Sequence, residues 1–349
     1  MDTAIDVGVL GATGMVGQQF VRLLDGHPWF RPVWFAASGR SEGRVYSEAA
    51  SWRLDSPLPE TAAARRVDAC VPGRGPRLVF SALDATAADD IEPAFAAAGH
   101  IVISNARSFR MAEDVPLLIP EVNSDHLSLI DAQRRTRGWR GAIVTNPNCS
   151  TVVLAMALAP LRQFGITSVV TTTLQAVSGA GYPGVASLDI VGNVIPGIAG
   201  EEEKIESETQ KILGSLQDGR IVAHAMVVSA HTTRVPVVDG HTITVSLAFD
   251  GAREPEDIVA AMEGWRGRPQ ALGLPSAPAR PIECFREGLR PQPRLDAGRG
   301  KGMTVSVGRV RPCPLLGIKF VAMGHNTVRG AAGAALLNAE LMAADGWLD

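Results

Sequence analysis

Cysteine is scarce in this chain and unevenly spread. Four cysteines in 349 residues, Cys70, Cys149, Cys284 and Cys313, are too few and too scattered for a disulfide framework or a paired-cysteine knuckle. No HExxH or related histidine pattern occurs, so no metal site is expected. No apolar run approaches the roughly 18–20 residues that span a bilayer, and no membrane partner is expected. A net charge of −3 supplies no basic field, which argues against nucleic acid as a partner. The start, Met1-Asp2-Thr3-Ala4-Ile5-Asp6, has no basic n-region, so a cytoplasmic location without a signal peptide is expected. Aromatic residues are only 5% of the chain, whereas there are 36 glycines, a balance that favours tight turns and close backbone approaches.

The chain is 46% hydrophobic and 20% charged, and its length suits about two domains. Over the first 150 residues short apolar blocks alternate with helical stretches. Strands are expected at 5–10, 32–37, 77–81, 101–104 and 142–145, with helices at 15–24 and 87–98. That alternation predicts a parallel sheet with right-handed crossovers. Beyond about residue 150 the texture changes. A helix at 150–164 leads to β-rich stretches at 167–177, 221–230, 242–249, 303–310 and 318–323, as in an antiparallel sheet with one covered face. The stretch 266–302, rich in Pro, Gly and Arg, reads as an irregular excursion, and 328–344 as a closing helix.

Directly after the first strand stands Gly11-Ala12-Thr13-Gly14-Met15-Val16-Gly17, a GxxGxxG variant of the dinucleotide fingerprint. Glycine there permits the strand-to-helix turn and lets backbone amides approach a pyrophosphate. An acid at the end of the second strand would favour NAD. Here the strand ends Ala37-Ser38-Gly39-Arg40-Ser41, and two hydroxyls with a guanidinium suit a 2′-phosphate, which points to NADP. Asn146-Pro147-Asn148-Cys149-Ser150-Thr151 sets one cysteine between a strand end and an apolar helix, where free amides and the helix dipole stabilise a thiolate and receive an oxyanion. The other cysteines read as structural.

These motifs, with Ser178-Gly179-Ala180-Gly181-Tyr182-Pro183-Gly184, Glu201-Glu202-Glu203-Lys204, Arg234-Val235-Pro236-Val237 followed by His241, and Gly324-His325-Asn326-Thr327-Val328-Arg329-Gly330, occur in order over nearly the whole chain. Together they closely resemble aspartate-β-semialdehyde dehydrogenase, in its archaeal and fungal branch. The resemblance implies an α/β protein: a Rossmann-type NADP-binding domain over 1–149 with 327–349, and an α+β catalytic and dimerisation domain with a largely antiparallel sheet over 150–326. It implies a homodimer or homotetramer, with Cys149 at the seam of the domains. It also implies NADPH-dependent, reversible reduction of L-aspartyl-4-phosphate to L-aspartate-4-semialdehyde and phosphate. Cys149 would form a thioacyl intermediate, and His241 would be the acid/base.

By the same resemblance Arg234 grips the substrate carboxylate, a task suited to a bidentate guanidinium. Arg110, Lys204 and Asn148 meet the phosphate, Glu201 pairs with the ammonium, and Gln175 orients the carbonyl. In a run of three glutamates the ammonium partner is uncertain by one position, Glu201 or Glu202. Gly11, Thr13, Gly14, Met15, Val16, Ser38, Arg40, Ser41, Ser81, Ser178, Gly179 and Asn326 are the expected NADP(H) contacts. By composition alone Glu201–Lys204 is an ordinary solvated helical face. An acyl-CoA substrate such as malonyl-CoA, reduced by the same cysteine chemistry, and a catalytically idle nucleotide-binding module remain as alternatives. Two local departures from the family pattern, Ala230-His231-Thr232-Thr233 and Asn105 to Arg110, lie beside expected substrate contacts.

Overall fold

Apolar blocks of four to eight residues, too short for stable helices, form the main strands of the first unit in the computed structural model, which describes residues 4–348. The chain divides into two units: Met1–Leu118, Asp125–Asn146 and Ala335–Asp349 make the first, and Ile119–Ser124 with Pro147–Ala334 the second. In the first, β1 (Ile5–Leu10), β2 (Phe30–Ala37), β3 (Val67–Ala69), β4 (Leu78–Ser81), β5 (Ile101–Ser104) and β6 (Ala142–Thr145) pair in parallel in the order β3-β2-β1-β4-β5-β6. Strand order thus reverses beside β1, the point at which doubly wound sheets bind ligands. Every residue of β4, β5 and β6 is buried, which is why these strands read as unbroken apolar runs rather than alternating ones.

The helix Ala85–Ala98 starts two residues before the expected position because Asp84 caps it, accepting from the Ala87 N–H at 3.0 Å. Gly99, at φ 105°, ends it. The C-terminal segment joins the first unit through the amide of Asn338, which donates to Asn146, and through Glu340 Oε1, 2.9 Å from His27 Nε2.

The second unit holds a mixed sheet. Its strands are β7 (Ile166–Gln175), β8 (Ile195–Pro196), β11 (Val227–Arg234), β12 (His241–Phe249), β13 (Ile282–Phe285), β14 (Val305–Cys313) and β15 (Gly317–Gly324), while β9 (Ser215–Gln217) and β10 (Arg220–Val222) form a separate hairpin. The order is β13-β14-β15-β12-β7-β11-β8. Pairing is antiparallel at β7–β12, β12–β15, β14–β15 and β8–β11, and parallel at β7–β11 and β13–β14. The expected largely antiparallel sheet is therefore present.

Four expectations need correction. The single strand at 221–230 is two strands. The backbone breaks between them where His224 N–H donates to the Gln210 carbonyl and Met226 N–H donates to His224 Nδ1, contacts that replace a sheet ladder. The excursion at 266–302 contains the helix Arg268–Leu272 and the edge strand β13, whose four-residue Ile-Glu-Cys-Phe block is hidden among prolines and arginines. The helix expected at 150–164 is α-helical from Cys149 to Leu158 and tightens to a 3₁₀ helix at Ala159–Phe164, where Pro160 lacks the donor an α-helix needs. The closing helix begins with a π-helical turn, Val328–Ala332, before Gly333–Ala344.

That turn is anchored by charge. The side chains of Arg329 and Glu121 are fully buried, and the guanidinium donates to both carboxylate oxygens at 2.7 Å. Removing one member strands the other in an apolar interior, whereas replacing both with apolar residues does not. Arg329→Met is expected to lower the unfolding free energy by about 3–5 kcal/mol, and Glu121→Leu/Arg329→Met to recover most of that loss. Denaturant titration measures both; a double variant no better than the single one contradicts the assignment.

Candidate active site

Asn148 organises the turn that carries the cysteine. It is the N-cap of the helix Cys149–Leu158, and its Oδ1 accepts from the N–H groups of Ser150 at 2.9 Å and Thr151 at 3.3 Å. The rest of that helix, Ser150 through Leu158, is buried on all sides, so the turn is built on an immobile base. Cys149 stands at its first position, with Sγ 3.1 Å from Nε2 of His241, the first residue of β12. Of the free amides expected at this helix start, those of Ser150 and Thr151 are taken by the cap and are not open to an oxyanion.

His241 is fully buried. The Ala176 N–H donates to its Nδ1 at 3.1 Å, fixing the ring plane and leaving the proton of the neutral ring on Nε2, facing the sulfur. Burial, with the positive charge of Arg234 and the neighbouring His325, pushes its pKa down to about 3. The ring is therefore neutral across the physiological range. Arg234, at the end of β11, donates to the Ala176 carbonyl at 2.9 Å. Burial lowers its pKa, against the pull of Cys149 and Glu201. Gly179 is glycine for lack of room: a Cβ there would sit 2.9 Å from the Arg234 guanidinium and 3.0 Å from the His241 ring. Gly330 has the same constraint on the other flank, since its Cβ would come 2.6 Å from the Cβ of Cys149.

The helix Glu201–Ile212 is not a solvated charged face. Glu201 Oε2 accepts from the side-chain amide of Asn148 at 2.7 Å, and Glu201 Oε1 lies 2.6 Å from Lys204 Nζ. Burial opposes the Glu201 charge, but Lys204, Asn148 and Gln175 hold its pKa below the ordinary carboxylate value. Glu202 is used elsewhere: its Oε1 accepts from the Thr232 N–H at 2.9 Å, and Glu206 accepts from the Ala230 N–H at 3.0 Å. Both N–H groups belong to β11 and are taken by side chains of the helix. Glu201 thus lies on the cysteine side of the helix and Glu202 on the β11 side. Sequence reasoning missed Glu208. Buried on the same face seven residues after Glu201, it accepts from the Asn148 backbone N–H at 2.6 Å. The signal was available as the spacing 201, 204, 205, 208, one face of a helix.

Gln175, at the end of β7, is buried and also bonds Glu201. Asn326 donates to Ser178 Oγ at 2.7 Å and accepts from the Gly240 N–H at 2.9 Å, while Ser178 donates to Asp239. Thus the second unit gathers Asn148, Cys149, Gln175, Ser178, Gly179, Glu201, Lys204, Arg234, His241 and Asn326. Arg110 belongs to the first unit, nearly buried, and donates to the Asn105 carbonyl at 2.8 Å.

The first unit carries the glycine loop. Gly11 has φ +71°, and a Cβ on it would meet the Ala82 carbonyl at 2.6 Å. A Cβ on Gly17 would collide with the Gly11 carbonyl, so the helix Met15–Leu24 can lie against β1 only as glycine. That helix has no side-chain cap at Gly14, the kind of N-terminus that takes an anion. Two contacts that the sequence did not reveal hold the loop: Tyr46 donates to the Ala12 carbonyl at 2.8 Å and Gln18 to the Thr13 carbonyl at 3.0 Å. Ser38 and Arg40 are exposed after β2, and Ser41 closes the turn by donating its N–H to the Ser38 carbonyl. The Ser81 side chain is buried beside Glu92. These residues fit a dinucleotide: a loop open to backbone approach, an uncapped helix start, and an exposed arginine where a ribose would be read. Among the described residues, no cluster of side chains could hold a metal ion, and no helix is long and apolar enough to cross a membrane.

Family models cover both units. One described as semialdehyde dehydrogenase, NAD binding domain, matches residues 6–130; another, semialdehyde dehydrogenase, dimerisation domain, matches 158–329. Curated relatives include the aspartate-semialdehyde dehydrogenase of Archaeoglobus fulgidus, 50% identical over 96% of this chain and 97% of that protein. That of Cryptococcus neoformans is 48% identical over 97% and 96%. Among solved structures, aspartate semialdehyde dehydrogenase with NADP from Candida albicans superposes with a TM-score of 0.92 at 43% identity, over 99% of this chain and 100% of that one. Aspartate semialdehyde dehydrogenase II from Vibrio cholerae gives 0.78 at 28% identity, over 99% of each chain.

The buried, neutral His241 makes a prediction about stability. A histidine whose folded pKa is depressed contributes fully above its unfolded value of about 6.5 and loses that contribution as pH falls towards its folded value. The unfolding free energy is expected to fall as pH drops from about 6.5 towards 3, with a slope of up to about 1.4 kcal/mol per pH unit from this group. His241→Asn should flatten that part of the curve. Equal slopes for the two proteins would contradict the assignment.

Proposed function

The chain belongs to the aspartate-semialdehyde dehydrogenase family, and on that footing we propose that it reduces L-aspartyl-4-phosphate to L-aspartate-4-semialdehyde, reversibly, with NADPH. The observation that carries this reading is the 3.1 Å contact between Cys149 Sγ and His241 Nε2, with Arg234, Glu201 and Lys204 grouped in the same unit. Cys149 attacks the acyl carbon as a thiolate. A C–S bond forms, the bond to the phosphate oxygen breaks, and phosphate leaves behind a thioester. NADPH, when bound, supplies the hydride that a thioester carbonyl accepts far more readily than a carboxylate. His241 Nε2 faces the sulfur and serves as the acid/base group, its resting form a donor to the thiolate and to the oxygen of the tetrahedral species. Collapse of the hemithioacetal breaks the C–S bond, frees the aldehyde and restores the thiolate.

In this reading Arg234 binds the α-carboxylate, Glu201 the ammonium, and Gln175 orients the carbonyl. Lys204, Asn148 and Arg110 meet the phosphate. The first unit would hold NADP through Gly11, Thr13, Gly14, Met15, Val16, Ser38, Arg40, Ser41 and the β4 end at Ser81. Ser178, Gly179 and Asn326 are assigned to the nicotinamide end. A carboxylate at Glu201 favours an aminoacyl substrate over an acyl-CoA, which has no ammonium to meet it. Exposed Leu188, Val191 and Val194 on the second unit support a homodimer or homotetramer; a cytoplasmic location is part of the same proposal. Sedimentation distinguishes the assemblies.

Two experiments test the reading. Cys149→Ala should abolish phosphate-dependent NADP reduction by aspartate semialdehyde while NADPH still binds, and residual turnover would sink the thioacyl route. Arg40→Ala should raise the KM for NADPH by about tenfold, and that for NADH little, because only NADPH carries the 2′-phosphate. Steady-state kinetics with both cofactors decides, and equal effects would remove the basis for NADP preference. Malonate semialdehyde with CoA, run beside aspartate semialdehyde, separates the acyl-CoA alternative.

A further inference from the structure

The helix Glu201–Ile212 holds Asn148 at two points. Glu201 takes the side-chain amide at 2.7 Å, and Glu208 takes the backbone N–H at 2.6 Å. The second contact has a distinct physical meaning. An N-cap residue lies outside the helical ladder, so its own N–H must find an acceptor elsewhere, and Asn148 is only 6% exposed. Glu208, 2% exposed, supplies that acceptor from a rigid helix. On the opposite flank Gly330 leaves no free space against the Cα and Cβ of Cys149. The sulfur is thus set between a close-packed backbone and a hydrogen bond one residue upstream.

We propose that Glu208 is a positioning residue for Cys149: its bond to the Asn148 N–H fixes the turn so that Sγ stays within reach of His241 Nε2. Glu208 is assigned a role through Asn148, and the proposal rests on the reading of Cys149 as nucleophile. Displacing a reacting group by about 1 Å can cost about a hundredfold in rate, so the effect belongs in kcat. Glu208→Leu keeps the bulk and removes the acceptor. Glu208→Gln removes the charge and keeps an acceptor, so comparing them isolates the hydrogen bond from the carboxylate's field.

The experiment measures kcat, the KM values for aspartate semialdehyde and NADP, and the alkylation rate of Cys149 by iodoacetamide near neutral pH, followed on its own peptide by mass spectrometry. Glu208→Leu is expected to lose about ten- to a hundredfold in kcat with both KM values within about twofold, and to alkylate more slowly. Glu208→Gln is expected to recover most of both rates. A Leu variant with wild-type kcat and alkylation, or a Gln variant no better than Leu, overturns the proposal. If Glu208→Leu does not accumulate as folded protein, Glu208→Asp, whose acceptor stops a methylene short, takes its place, and equal Asp and Gln rates overturn the proposal. A wild-type chain that fails to turn over aspartate semialdehyde would instead refute the substrate assignment, and the alkylation comparison still decides the role of Glu208.

Discussion

The 3.1 Å contact between Cys149 Sγ and His241 Nε2 is the constraint around which the second unit is built. A hydrogen bond of that kind tolerates little displacement, and its two partners come from different elements, a helix start and a strand start. Each is fixed by backbone as well as by side chains. The imidazole is held through Nδ1 by the Ala176 N–H, and the cysteine turn is capped by the Asn148 side chain. Where approach must be closer than any side chain allows, the chain has glycine, at Gly179 beside the imidazole and Gly330 beside the thiol. The buried pair Glu121–Arg329 anchors the turn that carries Gly330, so a charge far from the sulfur in sequence helps set one wall of its surroundings.

Charge in this unit is sorted by helical face. Within the helix Glu201–Ile212, Glu201 and Glu208 turn to the cysteine side, while Glu202 and Glu206 turn to β11 and accept its outward N–H groups. A run of three glutamates and a lysine looks interchangeable when written out, yet its members have separate partners. His241 illustrates the complementary case: enclosed and beside Arg234, it is kept neutral, so it can meet a thiolate without adding a second charge to a dry site.

Much of this was legible in the sequence where one residue type has one physical use. The glycines at 11 and 17 have no alternative, because a Cβ at either strikes backbone. Strands β1, β5 and β6 were located to the residue, since short apolar blocks between turn residues have no other buried form. Cys149 announced itself by standing between a strand end and an apolar helix. What escaped was set by tertiary partners. Ile282–Phe285 has only four residues and becomes a strand because β14 lies beside it. The break between β10 and β11 depends on the His224 N–H donating to the Gln210 carbonyl, 14 residues earlier, and on the Met226 N–H donating to His224 Nδ1. The N–H groups of Ser150 and Thr151 are not open donors because the Asn148 side chain accepts from both. Tyr46 gives no local sign that its hydroxyl supports the Ala12 carbonyl, 34 residues earlier.

The paired carboxylates of Glu202 and Glu206 have a consequence beyond the reaction. Among the described residues, the sheet continues past β11 only as the two-residue β8, which meets Thr233 and Arg234. The outward N–H groups of Ala230 and Thr232 would be a template for a strand from another molecule, the usual route to edge-to-edge aggregation. Two side chains from the neighbouring helix occupy those donors instead. The element that carries Glu201 and Lys204 is therefore also what keeps this edge from recruiting a stranger's backbone, and variants selected there for altered substrate preference carry a solubility risk that activity screens alone do not register.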